Sequence, residues 1–281
     1  VETTGSVGTV TVVIKSANYE DITLTVNISA KNKLTPVLAG TLTLTPIKIT
    51  YGEPLSKIKI TGTMKAGDTV VEGTFSWQLP GDTILGASTS GHDVGWTFTP
   101  KDGNTYTEVT GTVKVPVAPK SIEGAAITLE KYEFQYNAAE QSPRITGVTL
   151  EDWSETRITY DIKSGDKATN ANDSIPLTIE GTGNYTGTAM VEWKITPKTV
   201  TPTIEVEPCT YTGDALKPTV TVKDDIGNII DQKEYEIFYS NNTNAGIATV
   251  TIKDVEGGNY VLSEASKTFE ITKAAAPAAE A

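Results

Sequence analysis

Apolar and polar residues alternate through most of this chain. Phe75 and Trp77, then Val191, Trp193 and Ile195, then Tyr235, Ile237 and Tyr239 each stand two positions apart, the period at which a strand turns one face to a core. Further runs of strand character lie at Val10-Thr11-Val12-Val13-Ile14, Trp96-Thr97-Phe98, Leu177-Thr178-Ile179 and Val250-Thr251-Ile252. Asp102-Gly103, Ser164-Gly165, Ile226-Gly227-Asn228 and Gly257-Gly258-Asn259 punctuate these runs with turn residues, spaced as in sandwiches. No segment sustains a 3.6-residue apolar period with caps, the Ala-rich tail aside. The pattern predicts an all-β chain of Ig-like sandwich modules. A β-grasp-like module is the alternative, and it requires a helix that the pattern lacks. Trp77, Trp96 and Trp193 are then core residues, each burying roughly 150–250 Å². Pro176, inside a strand pattern, predicts an edge position.

The strands are also repetitive. Gly183-Asn184-Tyr185 returns as Gly258-Asn259-Tyr260, as Gly103-Asn104-Thr105-Tyr106 and, worn, as Ala17-Asn18-Tyr19. The stretch from Asp152 to Tyr160 aligns without a gap on Asp231 to Tyr239, and Tyr136-Asn137 and Pro143 correspond to Tyr211-Thr212-Gly213 and Pro218. A period of roughly 75–85 residues fits several small modules better than one large core. The segmentation is 1–34, 35–119, 120–199 and 200–273, with 274–281 an Ala/Pro linker. Residues 1–34 match only the closing half of a module: Gly8-Thr9-Val10 aligns with Gly246-Ile247-Ala248. Strands without their opening half leave unpaired edges, so this segment is expected to be poorly ordered or to pack on another module or molecule. The reading is of a segment excised from a longer polypeptide.

Composition narrows the function classes. The 281 residues carry a net charge of −12, from 35 acidic and 23 basic residues. With no Lys/Arg run, that balance disfavours nucleic acid and anionic membrane surfaces as partners. No stretch reaches the roughly 18 apolar residues of a membrane span, and the first residues lack the basic and apolar regions of a signal peptide. Cys209 is the one cysteine, so no intramolecular disulfide forms. High Thr content and near-absence of Cys agree with an exported bacterial chain.

Tyr211-Thr212-Gly213, Lys217-Pro218, Tyr239-Ser240-Asn241-Asn242, Asn244-Ala245-Gly246 and Gly258-Asn259-Tyr260 together resemble the Ig-like repeats found in tandem in large surface and secreted proteins of Gram-positive gut bacteria. Ile49-Thr50-Tyr51-Gly52, Gly73-Thr74-Phe75-Ser76-Trp77 and Trp96-Thr97-Phe98-Thr99-Pro100-Lys101-Asp102 look like the related YGX-type, MBG-like repeat of bacterial adhesin-like proteins. The resemblance covers nearly all of the chain and implies a spacer, stalk or accessory role outside the cell. It speaks to module type far more than to activity. Residues 120–199 depart most, with Gln135-Tyr136-Asn137 lacking the glycine.

Candidate chemistry is sparse. His92, the sole histidine, falls in Ser90-Gly91-His92-Asp93, read as a turn, and Cys209 belongs to another module, so neither has the partner that nucleophilic catalysis needs. His/Cys metal ligation fails for want of ligands. Asp224-Asp225-Ile226-Gly227-Asn228 and Glu151-Asp152 offer oxygen atoms, but without the spaced carboxylates and distal Glu of a calcium loop; a hairpin turn is the simpler account. No paired carboxylate sits in a glycosidase motif. A Lys to Asn or Asp cross-link would need a buried apolar lysine, and the lysines mostly alternate outward. Trp153 is the one candidate for a ligand platform, because it precedes a strand and aligns with polar Gln232; packing against a nearby loop is the alternative. Tyr19, Tyr106, Tyr185 and Tyr260 are expected to fix a corner of the module, the hydroxyl bonded to backbone, as in other sandwiches. The sequence thus reads as a non-enzymatic, cofactor-free, elongated monomer that spaces a surface protein. An adhesin or carbohydrate-binding array that takes host glycan or protein is the second reading.

Overall fold

The computed structural model describes residues 4–151, 153 and 157–276. Contacts divide the chain into two units, Val1–Ser121 with Gly181–Thr186, and Ile122–Glu180 with Gly187–Ala281. The chain is an all-β array of small sheets, and its helical content among the described residues is two 3-10 turns, Leu55–Lys57 and Gln232–Glu234. The helix that a β-grasp module requires is not among them.

In the first unit a four-stranded sheet runs in the order Ile49–Thr50, Val109–Ala118, Ser88–Pro100, Gly73–Trp77. The long central pair is antiparallel, whereas the short outer strand runs parallel to Val109–Ala118, with Ile49 opposite Val117. Smaller sheets pack on it. Ile60 of Lys59–Thr61 and Met64 and Val71 of the three-stranded sheet share one buried cluster with Trp96 and Phe98. Alternation places these side chains inside, and close packing then constrains the backbone opposite. The Trp96 ring lies over Gly111, its register partner, where an added Cβ would fall 2.5 Å from Cζ2. Only a residue without Cβ leaves room for the indole. Trp77 is half-buried and its indole N–H donates to the Ile58 carbonyl.

The second unit repeats this strand order twice. Glu133–Gln135, Thr188–Thr196, Asn172–Gly181 and Tyr160–Ser164 form one sheet; Cys209–Thr210, Ala265–Thr272, Gly246–Asp254 and Tyr235–Ser240 form the other. Each again has a short parallel outer strand. Each is accompanied by an antiparallel pair, Ala126–Leu129 with Ile145–Thr149, and Thr203–Val206 with Val220–Lys223. Trp193 is buried at 2% exposure and donates its indole N–H to the Gly165 carbonyl.

Pro176 corrects the edge expectation. It lies opposite Glu192 in a central strand, not an outer one. Two contacts locate the neighbouring strand beside it. Lys163 forms an ion pair with Glu180, while Gly165, at φ +77°, sits so close to Pro176 that an added Cβ would meet its carbonyl. The neighbouring strand Tyr160–Ser164 ends at this close approach to Pro176.

Residues 4–31 form a two-stranded antiparallel hairpin, Thr4–Ile14 with Ile22–Lys31. Val10, Val12, Ile14, Leu24, Val26 and Ile28 remain exposed on it. The segment thus carries regular pairing with its apolar side chains left exposed.

Candidate functional site

The recurring Asn-Tyr turns are the feature that the fold uses most consistently. In the first unit Lys120–Ser121 pairs in parallel with Tyr185–Thr186, and the Lys120 N–H donates to the Asn184 carbonyl at 2.9 Å. In the second, Lys198–Val200 pairs in parallel with Tyr260–Leu262, and the Lys198 N–H donates to the Asn259 carbonyl, also at 2.9 Å. A third instance is an isolated bridge: Leu34 lies parallel to Tyr106 and its N–H donates to the Thr105 carbonyl at 2.8 Å. Each turn therefore receives the segment that enters its own repeat. A tight turn with glycine ahead of it suits this role, since Gly183 holds φ +65°, which few other residues adopt at low cost.

The side chains of the turn point elsewhere. The Asn184 Oδ1 accepts the Ala87 N–H at 2.8 Å, and the Tyr185 ring meets Tyr51 edge-on with centroids 5.6 Å apart. In the second unit the Asn259 Oδ1 accepts the Ala171 N–H at 2.7 Å, and Tyr260 meets Tyr136 edge-on at 5.2 Å. The receiving residues are equivalent. Ala87 and Ala171 immediately precede the central strands Ser88–Pro100 and Asn172–Gly181, while the Tyr51 and Tyr136 N–H groups donate to Ala118 and Thr196 beside the closing strands. An Asn-Tyr turn thus satisfies one backbone donor and stacks one aromatic ring, both on residues distant in sequence.

Charged groups fix the second of these turns from behind. Glu234, buried at 5% exposure, accepts the Asn259 N–H at 3.0 Å and its Nδ2 at 2.9 Å. That leaves the Oδ1 to face Ala171, while the Nδ2 also donates to the Asn170 Oδ1. A carboxylate that holds the amide on two donors determines which end of the amide points outward. The residue aligned with Glu234, Glu155, lies outside the described residues. Burial pushes the Tyr260 phenol above its ordinary pKa.

Asp224 anchors the leading strand of the same turn. Its Oδ2 accepts from Lys198 Nζ at 3.1 Å, and its Oδ1 accepts the Ile226 and Asn228 N–H groups at 3.1 and 2.7 Å. Burial alone would raise its pKa, but the Asn228 backbone bond, the Lys198 ammonium and the Asn228 amide outweigh it and hold the carboxyl at about 2. The pull is mutual, and Lys198 is shifted upward. The carboxylate oxygens are thereby occupied by protein donors, so the sequence Asp224-Asp225-Ile226-Gly227-Asn228 is a capped turn. No group of three His, Cys, Asp or Glu residues positioned to hold a metal occurs among the described residues.

The remaining candidates stand apart. His92 lies within strand Ser88–Pro100 at a register shift, not in a turn, and its Nε2 is 2.8 Å from the Gly86 carbonyl. Cys209 is half-buried opposite Ile271. Trp153 is half-buried, with its N–H donating to the Leu150 carbonyl at 3.3 Å. Its neighbour Asp152 lies outside the described residues, and Glu151 is exposed. Tyr19 is 82% exposed between the hairpin strands, and Tyr106 is half-buried against the Trp96 cluster. The four tyrosines therefore occupy three different environments. The readable signal for the receiving side was the alanine before each central strand, at 87, 171 and 245, together with the tyrosine after each outer strand, at 51, 136 and 211. No helix is long and apolar enough to cross a membrane among the described residues.

No protein-family model and no curated protein matches this sequence. Among solved structures, surface layer protein SbsC, domains 1–6, aligns over 92% of this chain and 43% of its own at 17% identity, with a TM-score of 0.23. Domains 4–9 of SbsC align over 94% of this chain and 54% of their own at 16% identity, with a TM-score of 0.22. The chain spans about half the length of these structures.

Proposed function

We propose that this chain is a non-enzymatic spacer segment of a bacterial cell-surface or secreted protein, presenting a functional domain carried elsewhere in the polypeptide. The observation that carries the reading is the duplicated junction: an asparagine amide on an alanine N–H and a tyrosine edge on a tyrosine, at 2.8 and 5.6 Å in one unit and at 2.7 and 5.2 Å in the other. A chain that reproduces one connection between repeats invests its repeated geometry in linkage. The oxygen atoms of Asp224 are engaged by Lys198 and by the turn amides of Ile226 and Asn228. Adhesion to a glycan would call for a patch of exposed aromatics, whereas Trp153 is half-buried.

Small-angle X-ray scattering of the purified chain tests the spacer reading. Short Pro-containing junctions such as Pro197-Lys198-Thr199-Val200 limit hinge freedom, so the expected profile is that of an elongated monomer. A compact globular profile overturns it.

A further inference from the structure

The geometry points to the face carrying Tyr211 and Ala245 as a docking site for one more Asn-Tyr turn, presented by a further module of this type. Tyr211 follows the outer strand Cys209–Thr210, and its N–H donates to the Thr272 carbonyl at 2.9 Å, just as Tyr51 and Tyr136 donate to Ala118 and Thr196 at 2.8 Å. Ala245 precedes the central strand Gly246–Asp254, and Gly246 pairs with Ile271 as Asn172 pairs with Ile195. Asn244 then occupies the place of Asn170, whose Oδ1 accepts from Asn259. Where these positions occur earlier in the chain, an Asn-Tyr turn covers them. Here Tyr211 is 38% exposed, and Asn244 and Ala245 are exposed.

The chemistry of the face selects its occupant. A backbone N–H asks for a compact acceptor, an aromatic edge beside it asks for a ring, and the Asn244 amide asks for a donor; one Asn-Tyr pair supplies all three, as Asn259-Tyr260 does on Ala171, Tyr136 and Asn170. The two other turns of this chain are poorer fits: Thr105, whose carbonyl accepts from Leu34, stands where the others have asparagine, and Ala17 stands where the full phrase has glycine before Asn18-Tyr19. The occupant is therefore a module with a full Gly-Asn-Tyr phrase. Linked in the same polypeptide, it would dock without diffusional cost, because a short linker sets a millimolar effective concentration. The inference goes beyond the spacer reading and is independent of where the protein resides, so its failure leaves the scattering test untouched.

The experiment is a lengthened chain in which a second copy of residues 197–273 follows Thr272, with amide hydrogen exchange read by NMR. The Ala171 N–H, already bonded to Asn259, is the internal reference. Exchange at the first-copy Ala245 N–H is expected to slow by about tenfold or more against the original chain. Tyr211→Ala in the first copy, an exposed position whose loss leaves the core untouched, is expected to reverse that protection without altering Ala171. An Ala245 rate that is the same in the lengthened and original chains overturns the proposal, as does protection that survives Tyr211→Ala.

Discussion

Hairpin Thr4–Ile14/Ile22–Lys31 and strands Gly246–Asp254/Ala265–Thr272 have the same register and opposite fates. Gly8 pairs with Ile28 as Gly246 pairs with Ile271, Val10 with Val26 as Ala248 with Phe269, and Ile14 with Ile22 as Ile252 with Ala265. In the later copy Ala248, Val250 and Ile252 are fully buried, whereas Val10, Val12 and Ile14 are 46%, 46% and 51% exposed. The difference is the second layer. Ile204, Val220, Val222 and Ile230 close over the later pair in one cluster with Phe269 and Ile271, and the hairpin has no such cover among the described residues. Pairing satisfies the backbone along each strand. Burial, which supplies most of the stabilisation, needs residues from the opening half of the repeat, and an isolated two-stranded hairpin is marginal in water without them.

The widest separation between the two regions is expected on truncating equivalent residues. Ile252→Ala opens a cavity in a closed cluster and should lower the stability of its sheet by about 2–5 kcal/mol. Ile14→Ala removes a side chain that already faces water and should change stability by no more than about 0.5 kcal/mol. Chemical denaturation followed at amides of Gly246–Asp254 checks the first, and at amides of Thr4–Ile14 the second. Equal costs at the two sites would show that the hairpin finds a buried partner after all.

Much of this comparison was legible before the structure. Period-two alternation identified the strands and the buried Trp96 and Trp193, and the matching glycines at 8 and 246 aligned the hairpin with its complete counterpart. The role of the Asn-Tyr turn was only half legible. Its place between central and closing strands followed from alignment, but its side chains bond residues 97 and 88 positions away, Ala87 and Ala171, and no local pattern encodes a partner at that distance. Pro176 misled for a related reason: the rule that confines proline to edges concerns a missing N–H, and whether a neighbour reaches that N–H depends on where Tyr160–Ser164 ends. The register of that neighbour is a tertiary property.

A smaller effect separates the tyrosines of the two regions. Tyr260 meets Tyr136 edge-on, while its hairpin counterpart Tyr19 is 82% exposed. A double-mutant cycle on Tyr136 and Tyr260 should return a coupling of about 0.5–1.5 kcal/mol, the range for aromatic pairs. Tyr19→Ala should leave stability within about 0.5 kcal/mol of the parent. Additive effects at 136 and 260 would reduce the junction to its backbone and amide bonds.

The subtlest contrast is electrostatic, because the later region has a buried carboxylate behind its leading strand. Asp224 titrates at about 2 in the folded chain, against an ordinary value of 3.8. A carboxyl that is more acidic when folded stabilises the native state above its unfolded pKa, and that contribution fades as pH falls through roughly 4 towards 2, because the unfolded chain takes up the proton first. Asp224→Asn keeps the shape and removes the titration. Between pH 6 and pH 2.5 the denaturation midpoint of Gly246–Asp254 should therefore fall further in the parent than in Asp224→Asn, while the variant is the less stable of the two at pH 6 because Lys198 loses the nearer of its two anionic partners, Asp224 and Asp225. A parallel fall in both proteins would place the acid sensitivity in the exposed carboxylates instead, and would leave the Lys198–Asp224 pair as a positioning contact for the strand that enters the Asn-Tyr turn.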